Sequence, residues 1–260
     1  MEINLSTNGK KFKNVDTSYL LRAYTLLGNA HVNLPKRYRN HKKAQTAYNT
    51  VVKIFEKMNK KTQKALPFEA RSAVAESMFK LANYRFEEIK KVKFTKVKKT
   101  RNAKKHVNMV KKNLAKLSKE MNKVKASFEK VIRLNVESWG LASSTQIGEM
   151  FYFYFTTLEK TPPPRIFDYE TQEMFRSNFI QMADPLRKKA IIAYKTCLKK
   201  ALELQWFNEW SDKAEQQIAK IAPEEYRYSI EERGTPIYFH KPGIERGLVT
   251  ELPEEDNEEE

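Results

Sequence analysis

Residues 103–131 read AKKHVNMVKKNLAKLSKEMNKVKASFEKV, and the apolar positions in this stretch decide the fold. Ala103, Val107, Val110, Leu114, Leu117, Met121, Val124, Phe128 and Val131 alternate spacings of four and three, the narrow seam of a coiled coil rather than a broad amphipathic stripe. Such a seam has to be covered. The preceding segment offers Ala75, Met78, Ala82, Phe86 and Ile89 at helical spacing, so the pattern predicts an elongated antiparallel coiled-coil hairpin over 68–136, turning near residues 97–102.

Outward from this hairpin, prolines at 35, 67, 162–164, 185 and 223 separate long intervals rich in good helix formers. Helices are expected at about 17–34, 40–60, 68–97, 102–136, 138–160, 170–204 and 206–221. Asp184 before Pro185 either caps a helix start or marks a kink in one longer helix. Glycine is scarce: only Gly28, Gly140 and Gly148 fall between residues 10 and 233, which argues against phosphate loops, tight hairpins and a Rossmann or barrel architecture. The fold class is therefore all-α. Residues 1–16 read as a disordered or extended arm, 17–223 as the helical domain, 224–250 as an extended segment pressed onto the helices through aromatics such as Tyr226 and Tyr228, and 251–260 (ELPEEDNEEE) as a solvated acidic tail.

The chain of 260 residues carries 49 Lys and Arg against 32 Asp and Glu, a net charge of +17. This charge is local: residues 36–128 hold 28 basic and six acidic side chains. Its densest point is the hairpin turn, where Lys90, Lys91, Lys93, Lys96, Lys98, Lys99, Arg101, Lys104 and Lys105 occur without an acid between them, a candidate site for an anionic partner. Sequence-independent binding of nucleic acid phosphates is one expectation for this tip; arginine is scarce there and Phe94 is the only aromatic among them, so base readers and stacking platforms are missing. Lysines near an anionic bilayer contribute about 1 kcal/mol each, and attachment to a lipid or polymer surface is a parallel expectation.

Residues with catalytic chemistry are as sparse as glycine. His31, His41, His106 and His240 are scattered, and no metal-binding spacing, nucleophile elbow or nucleotide loop occurs, so no catalytic residue, cofactor, metal or small-molecule substrate is expected. Cys197 is the only cysteine and reads as a packing residue. Trp206 and Trp210 read as two indoles packing a helix joint, and the aromatic run Met150–Phe155 as a helix buried between neighbours. The longest apolar runs are too short for a transmembrane helix.

Leu27-Gly28 with His31, followed by Ala44, Tyr48 and Val51, resembles the tetratricopeptide pattern, as do Ile147-Gly148 and Phe151 with Ala190, Tyr194 and Cys197. Small residues let two helices approach, and the aromatic fills the hole at their crossing. On this resemblance the helical domain is an α-solenoid of degenerate tetratricopeptide-like hairpins. Residues 138–240, with Pro162-Pro163-Pro164, Ala183-Asp184-Pro185-Leu186, Tyr194, Trp206, Trp210, Pro223 and Tyr226, resemble the ending of large tetratricopeptide proteins of deltaproteobacteria, including those of adventurous gliding motility. That resemblance implies a non-enzymatic protein-binding scaffold of the cell envelope, periplasmic in location. The polar start MEINLSTNGKKFKN lacks the apolar core of an export signal, which implies the cytoplasm if the chain is complete as written.

Overall fold

A computed structural model describes residues 5–7, 10–12, 16–92, 94–95 and 102–226. Among these, a two-stranded antiparallel ribbon (β1, Leu5–Thr7; β2, Lys10–Phe12) precedes eight helices: α1 (Thr17–Asn33), α2 (His41–Lys57), α3 (Lys60–Lys64), α4 (Phe68–Lys91), α5 (Ala103–Ile132), α6 (Glu137–Glu159), α7 (Tyr169–Glu203) and α8 (Glu209–Ile221). The ribbon lies within residues 1–16, expected to be a disordered or extended arm.

The helices pair as α1 with α2, α4 with α5 and α6 with α7. Between pairs, α4 packs on α1 and α2, α6 packs on α4 and α5, and α8 packs on α6 and α7. The first helices of the pairs thus lie side by side in one row. The second helices α2, α5 and α7 sit outside that row, with an open cleft between α2 and α5 floored by Met78, Leu81 and Ala82 of α4.

The seam of α5 is buried from Val110 to Val131 against α4 and α6. Its cover differs from the expected one at one position: Phe79, not Met78, completes the α4 face, so α4 uses Ala75, Phe79, Ala82, Phe86 and Ile89 in the same four-three phase as α5. Phe79 is 2% exposed and joins three helices, with ring centroids 5.7 Å from Phe128, 5.2 Å from Trp139 and 5.3 Å from Trp210. A buried aromatic there contributes packing area as well as edge contacts of about 0.5–1.5 kcal/mol each.

Helix ends also depart from the expected bounds. The segment 40–60 breaks at Met58, which leaves the helical region, and Asn59 caps the separate α3 by accepting from the Thr62 N–H at 2.8 Å. Segment 68–97 stops at Lys91. Pro185 lies inside one continuous α7, and Asp184 forms ion pairs with Arg187 and Lys188. Helix α7 closes in a Schellman turn, with Gln205 at φ 50° and the Trp206 N–H donating to the Ala201 carbonyl at 2.9 Å. That turn ejects Trp206 and Phe207, 44% and 58% exposed, ahead of α8, which starts at Glu209 on an Asn208 capping box. Only Trp210 packs the joint. Met150 is buried, and Phe151–Phe155 are half-buried. Of the expected C-terminal segment, Tyr226 lies 4.7 Å from Lys195 Nζ, and residues 227–260, like the turn 96–101, lie outside the described residues. No described helix is long and apolar enough to cross a membrane.

Candidate functional site

Two hairpins are locked by the same device. A Cβ built on Gly28 would stand 2.4 Å from Tyr48 Cε1, and one on Gly148 would stand 2.5 Å from Tyr194 Cε1. Both rings are fully buried, so only glycine permits the approach. Each tyrosine hydroxyl donates to the residue after the glycine: Tyr48 to Asn29 Oδ1 at 2.7 Å, Tyr194 to Glu149 Oε1 at 3.1 Å. The relay continues to the next first helix in both cases, from Asn29 Nδ2 to Glu76 of α4 at 2.9 Å and from Glu149 to Lys213 of α8 at 3.8 Å. Burial raises both phenol pKa values above their ordinary range; nearby Tyr84 and Glu76 reinforce this at Tyr48, and Glu149 at Tyr194.

Three residues before each glycine stands a buried threonine. Thr25 Oγ1 lies 3.1 Å from the Ala73 carbonyl and 2.9 Å from Ser77 Oγ on α4, and Thr145 Oγ1 lies 3.1 Å from the Trp210 carbonyl on α8. Thus α1, α2 and α4 correspond to α6, α7 and α8 in the Gly–Tyr approach, the hydroxyl relay and the threonine-to-carbonyl contact, and differ in that Thr25 also meets Ser77 on α4 while Thr145 meets Cys197 on α7. Sequence reading found the Gly and Tyr positions but missed the threonines, the polar relay and the equivalence of α8 to α4. Cys197 occupies the small position below Tyr194, accepts from Thr145 Oγ1 at 3.2 Å and lies 3.6 Å from the Leu141 carbonyl. Burial pushes its thiol up, opposed by the Thr145 hydrogen bond, which keeps it a protonated packing group.

The correspondence exposes a difference. Trp139, Ser143, Gln146, Ile147 and Met150 of α6 form the side covered by α4 and α5, and all but the partly buried Trp139 are buried. Their counterparts on α1 are Tyr19, Ala23, Leu26, Leu27 and Ala30. No helix among the described residues lies over them, and Tyr19, Leu26 and Leu27 are 64%, 65% and 46% exposed.

The nine basic residues singled out at the hairpin turn are not one uniform site. Lys93, Lys96, Lys98, Lys99 and Arg101 lie outside the described residues. Lys90 and Lys91 end α4 and are paired with Glu87 and Glu88 one turn back. Lys104 and Lys105 begin α5 and start a longer feature that sequence reading missed. Lys105, Lys112, Lys116, Lys119 and Lys123 follow one another by seven, four, three and four residues, the phase of the seam turned to the opposite side of the helix. Lys104, Lys105, Lys111, Lys112, Lys116 and Lys119 are all exposed and have no carboxylate partner among the described residues. The nearest α5 acid, Glu120, is taken by Lys123 at 2.6 Å and Arg85 at 2.8 Å, which hold its pKa down at about 2.

Charge separates by row. Helices α2, α5 and α7 carry 20 Lys and Arg against seven Asp and Glu, whereas α1, α4 and α6 carry six against seven. No group of three or more metal-ligating side chains is assembled among the described residues.

No protein-family model and no curated protein matches the chain. Among solved structures it is similar to a chain described as "Computational Design of Self-Assembling Cyclic Protein Homooligomers", at 13% identity over 79% of this chain and 68% of that one, with a TM-score of 0.33. A likeness at that level supports no functional reading.

Proposed function

We propose that this protein is a non-enzymatic, tetratricopeptide-like scaffold that binds another protein by adding a helical element to the open end of its row at α1. The observation that carries the reading is the correspondence between the two ends. The face formed by Trp139, Gln146, Ile147 and Met150 is packed by a helical hairpin, and the matching face formed by Tyr19, Leu26 and Leu27 is exposed, with no described helix over it. Burying those three side chains would contribute on the order of 1.5–3 kcal/mol each at full burial. The partner expected there is a helix or helical hairpin presenting an apolar ridge, because that is what covers the same positions on α6. Envelope location and a motility assembly are proposed on the resemblance of residues 138–240 alone.

The experiment is site-specific photo-crosslinking in the producing cells. A photoreactive phenylalanine replaces Leu26 or Tyr19 in one set and Lys116 or Asn122, on the outside of α5, in the other. A discrete protein adduct at 19 and 26 supports the scaffold reading. Identical adduct patterns at all four positions, or none at 19 and 26, would remove it.

A further inference from the structure

We propose that the outward face of α2, α5 and α7 is a docking surface for a planar anionic lipid bilayer, with α5 as the line of contact. This goes beyond the scaffold reading and does not depend on it, since it uses the opposite row of helices.

The first observation is geometric. Successive first helices pack on one another, whereas α2 and α5 are parted by the cleft over α4 and joined across it by the Lys130–Glu56 ion pair at 3.7 Å. A stack that is tight on one side and open on the other is convex on the open side, and α5 is the middle helix of that side. It is 30 residues long, about 45 Å at the helical rise, so the crest is a long rod. A convex crest meets a plane along its length, whereas it meets a nucleic-acid cylinder over a few phosphates unless their axes align.

Chemistry agrees with shape. From Lys105 to Lys119 the outermost side chains are lysines with no carboxylate partner among the described residues, separated by Asn108, Met109 and Ala115, about 21 Å of exposed positive charge at the helical rise. The crest holds no arginine to grip a phosphodiester in a fork and no aromatic ring to stack on a base. Its one large apolar side chain, Met109, is partly buried beside Lys105 and Lys112. A compact, mobile ammonium suits a fluid layer of headgroups, where charge density matters and fixed geometry does not. Flanking lysines extend the field on both sides, Lys42, Lys43, Lys53 and Lys57 on α2 and Lys199 on α7, whereas Lys188 and Lys200 are paired with Asp184 and Glu203. The first-helix row is nearly neutral and faces away, free for a protein partner. Attachment by charge alone is reversible and falls steeply with salt, because exposed charges are screened within about 8 Å at physiological ionic strength.

The test is vesicle co-sedimentation of the full chain. Vesicles of phosphatidylcholine alone are compared with vesicles containing roughly 30% phosphatidylglycerol, at low and at about 150 mM salt. One variant combines Lys105→Gln, Lys112→Gln, Lys116→Gln and Lys119→Gln, which keeps helix propensity nearly constant. A control with the same charge change combines Lys60→Gln, Lys61→Gln, Lys64→Gln and Lys220→Gln, off the crest. Circular dichroism confirms that both variants remain helical. Binding should require the anionic lipid, and each crest lysine should contribute roughly fivefold, so the crest variant should partition at least about 100-fold less well than the control. Equal losses in both variants would refute the crest as the contact line. Binding of the unaltered chain to both vesicle types alike would refute the anionic requirement. Displacement from the vesicles by a short DNA duplex at equal phosphate would reassign the face to nucleic acid. That result overturns the proposal.

Discussion

Replacing Gly148 by alanine reverses the usual rule for a helix interior. Alanine for glycine ordinarily gains about 1 kcal/mol of helix propensity. Here the new methyl carbon would lie 2.5 Å from Tyr194 Cε1, 2.7 Å from Cδ1 and 2.8 Å from Cζ, about 1 Å inside an ordinary contact. Tyr194 has no room to yield, being 0% exposed and tied to Glu149 through its hydroxyl. Helices α6 and α7 must therefore separate, and overpacking of this kind costs about 3 kcal/mol. The net effect is a loss of about 2 kcal/mol, a fall in melting temperature of roughly 4–8 °C for a domain of this size. Gly140→Ala supplies the control on the same helix: nothing stands within 4 Å of its Cβ, and a gain of about 0.5–1 kcal/mol is expected. Urea unfolding followed by circular dichroism measures both. Gly148→Ala combined with Tyr194→Leu should cost at least about 1 kcal/mol less than the sum of the single changes, because the shorter side chain releases the overlap. A stabilising Gly148→Ala, or strict additivity with Tyr194→Leu, would refute the lock.

Two further outcomes follow from the same joints. Native Cys197 should react with iodoacetamide at least about 100-fold more slowly than in the urea-unfolded chain, since its buried, protonated thiol reacts only after local opening of about 3 kcal/mol or more; comparable rates would show that the α6–α7 joint is open. Stability should fall as pH rises past about 10, because unfolded tyrosines ionise there while Tyr48 and Tyr194, with raised values, keep their protons in the folded state. Urea midpoints between neutral pH and about 11 would show it, with a shallower fall for Tyr194→Phe, and equal slopes would contradict it.

How far the sequence could be read depended on whether a feature was periodic. The α5 seam and the lengths of α1, α6 and α7 were legible because apolar spacing reports burial directly, and the Gly28–Tyr48 and Gly148–Tyr194 positions were legible because close approach demands those residue types. Phe79 was misplaced by one residue because Met78 and Phe79 are both apolar, and only the packing of Phe128, Trp139 and Trp210 decides between them. Trp206 was read as buried because exposure after a Schellman turn depends on Gln205 adopting a left-handed backbone, which a glutamine does not announce. The lysine crest was present in the sequence at the seam's own spacing, yet the denser turn drew attention from it. The exposed face of α1 was legible only through its correspondence with α6, since Tyr19, Leu26 and Leu27 form as good an apolar stripe as any core helix.

The central claim is that helices of this chain pack as corresponding sets, and cross-linking tests it most directly. Thr145 Oγ1 lies 3.2 Å from Cys197 Sγ, and Thr25 Oγ1 lies 2.9 Å from Ser77 Oγ. Thr145→Cys should form a disulfide with Cys197 across α6 and α7, and Thr25→Cys with Ser77→Cys should form one across α1 and α4, each within a single chain and with helicity retained. Non-reducing peptide mapping that finds both links supports the arrangement. Free thiols at these positions in folded protein, or links only between chains, would contradict it.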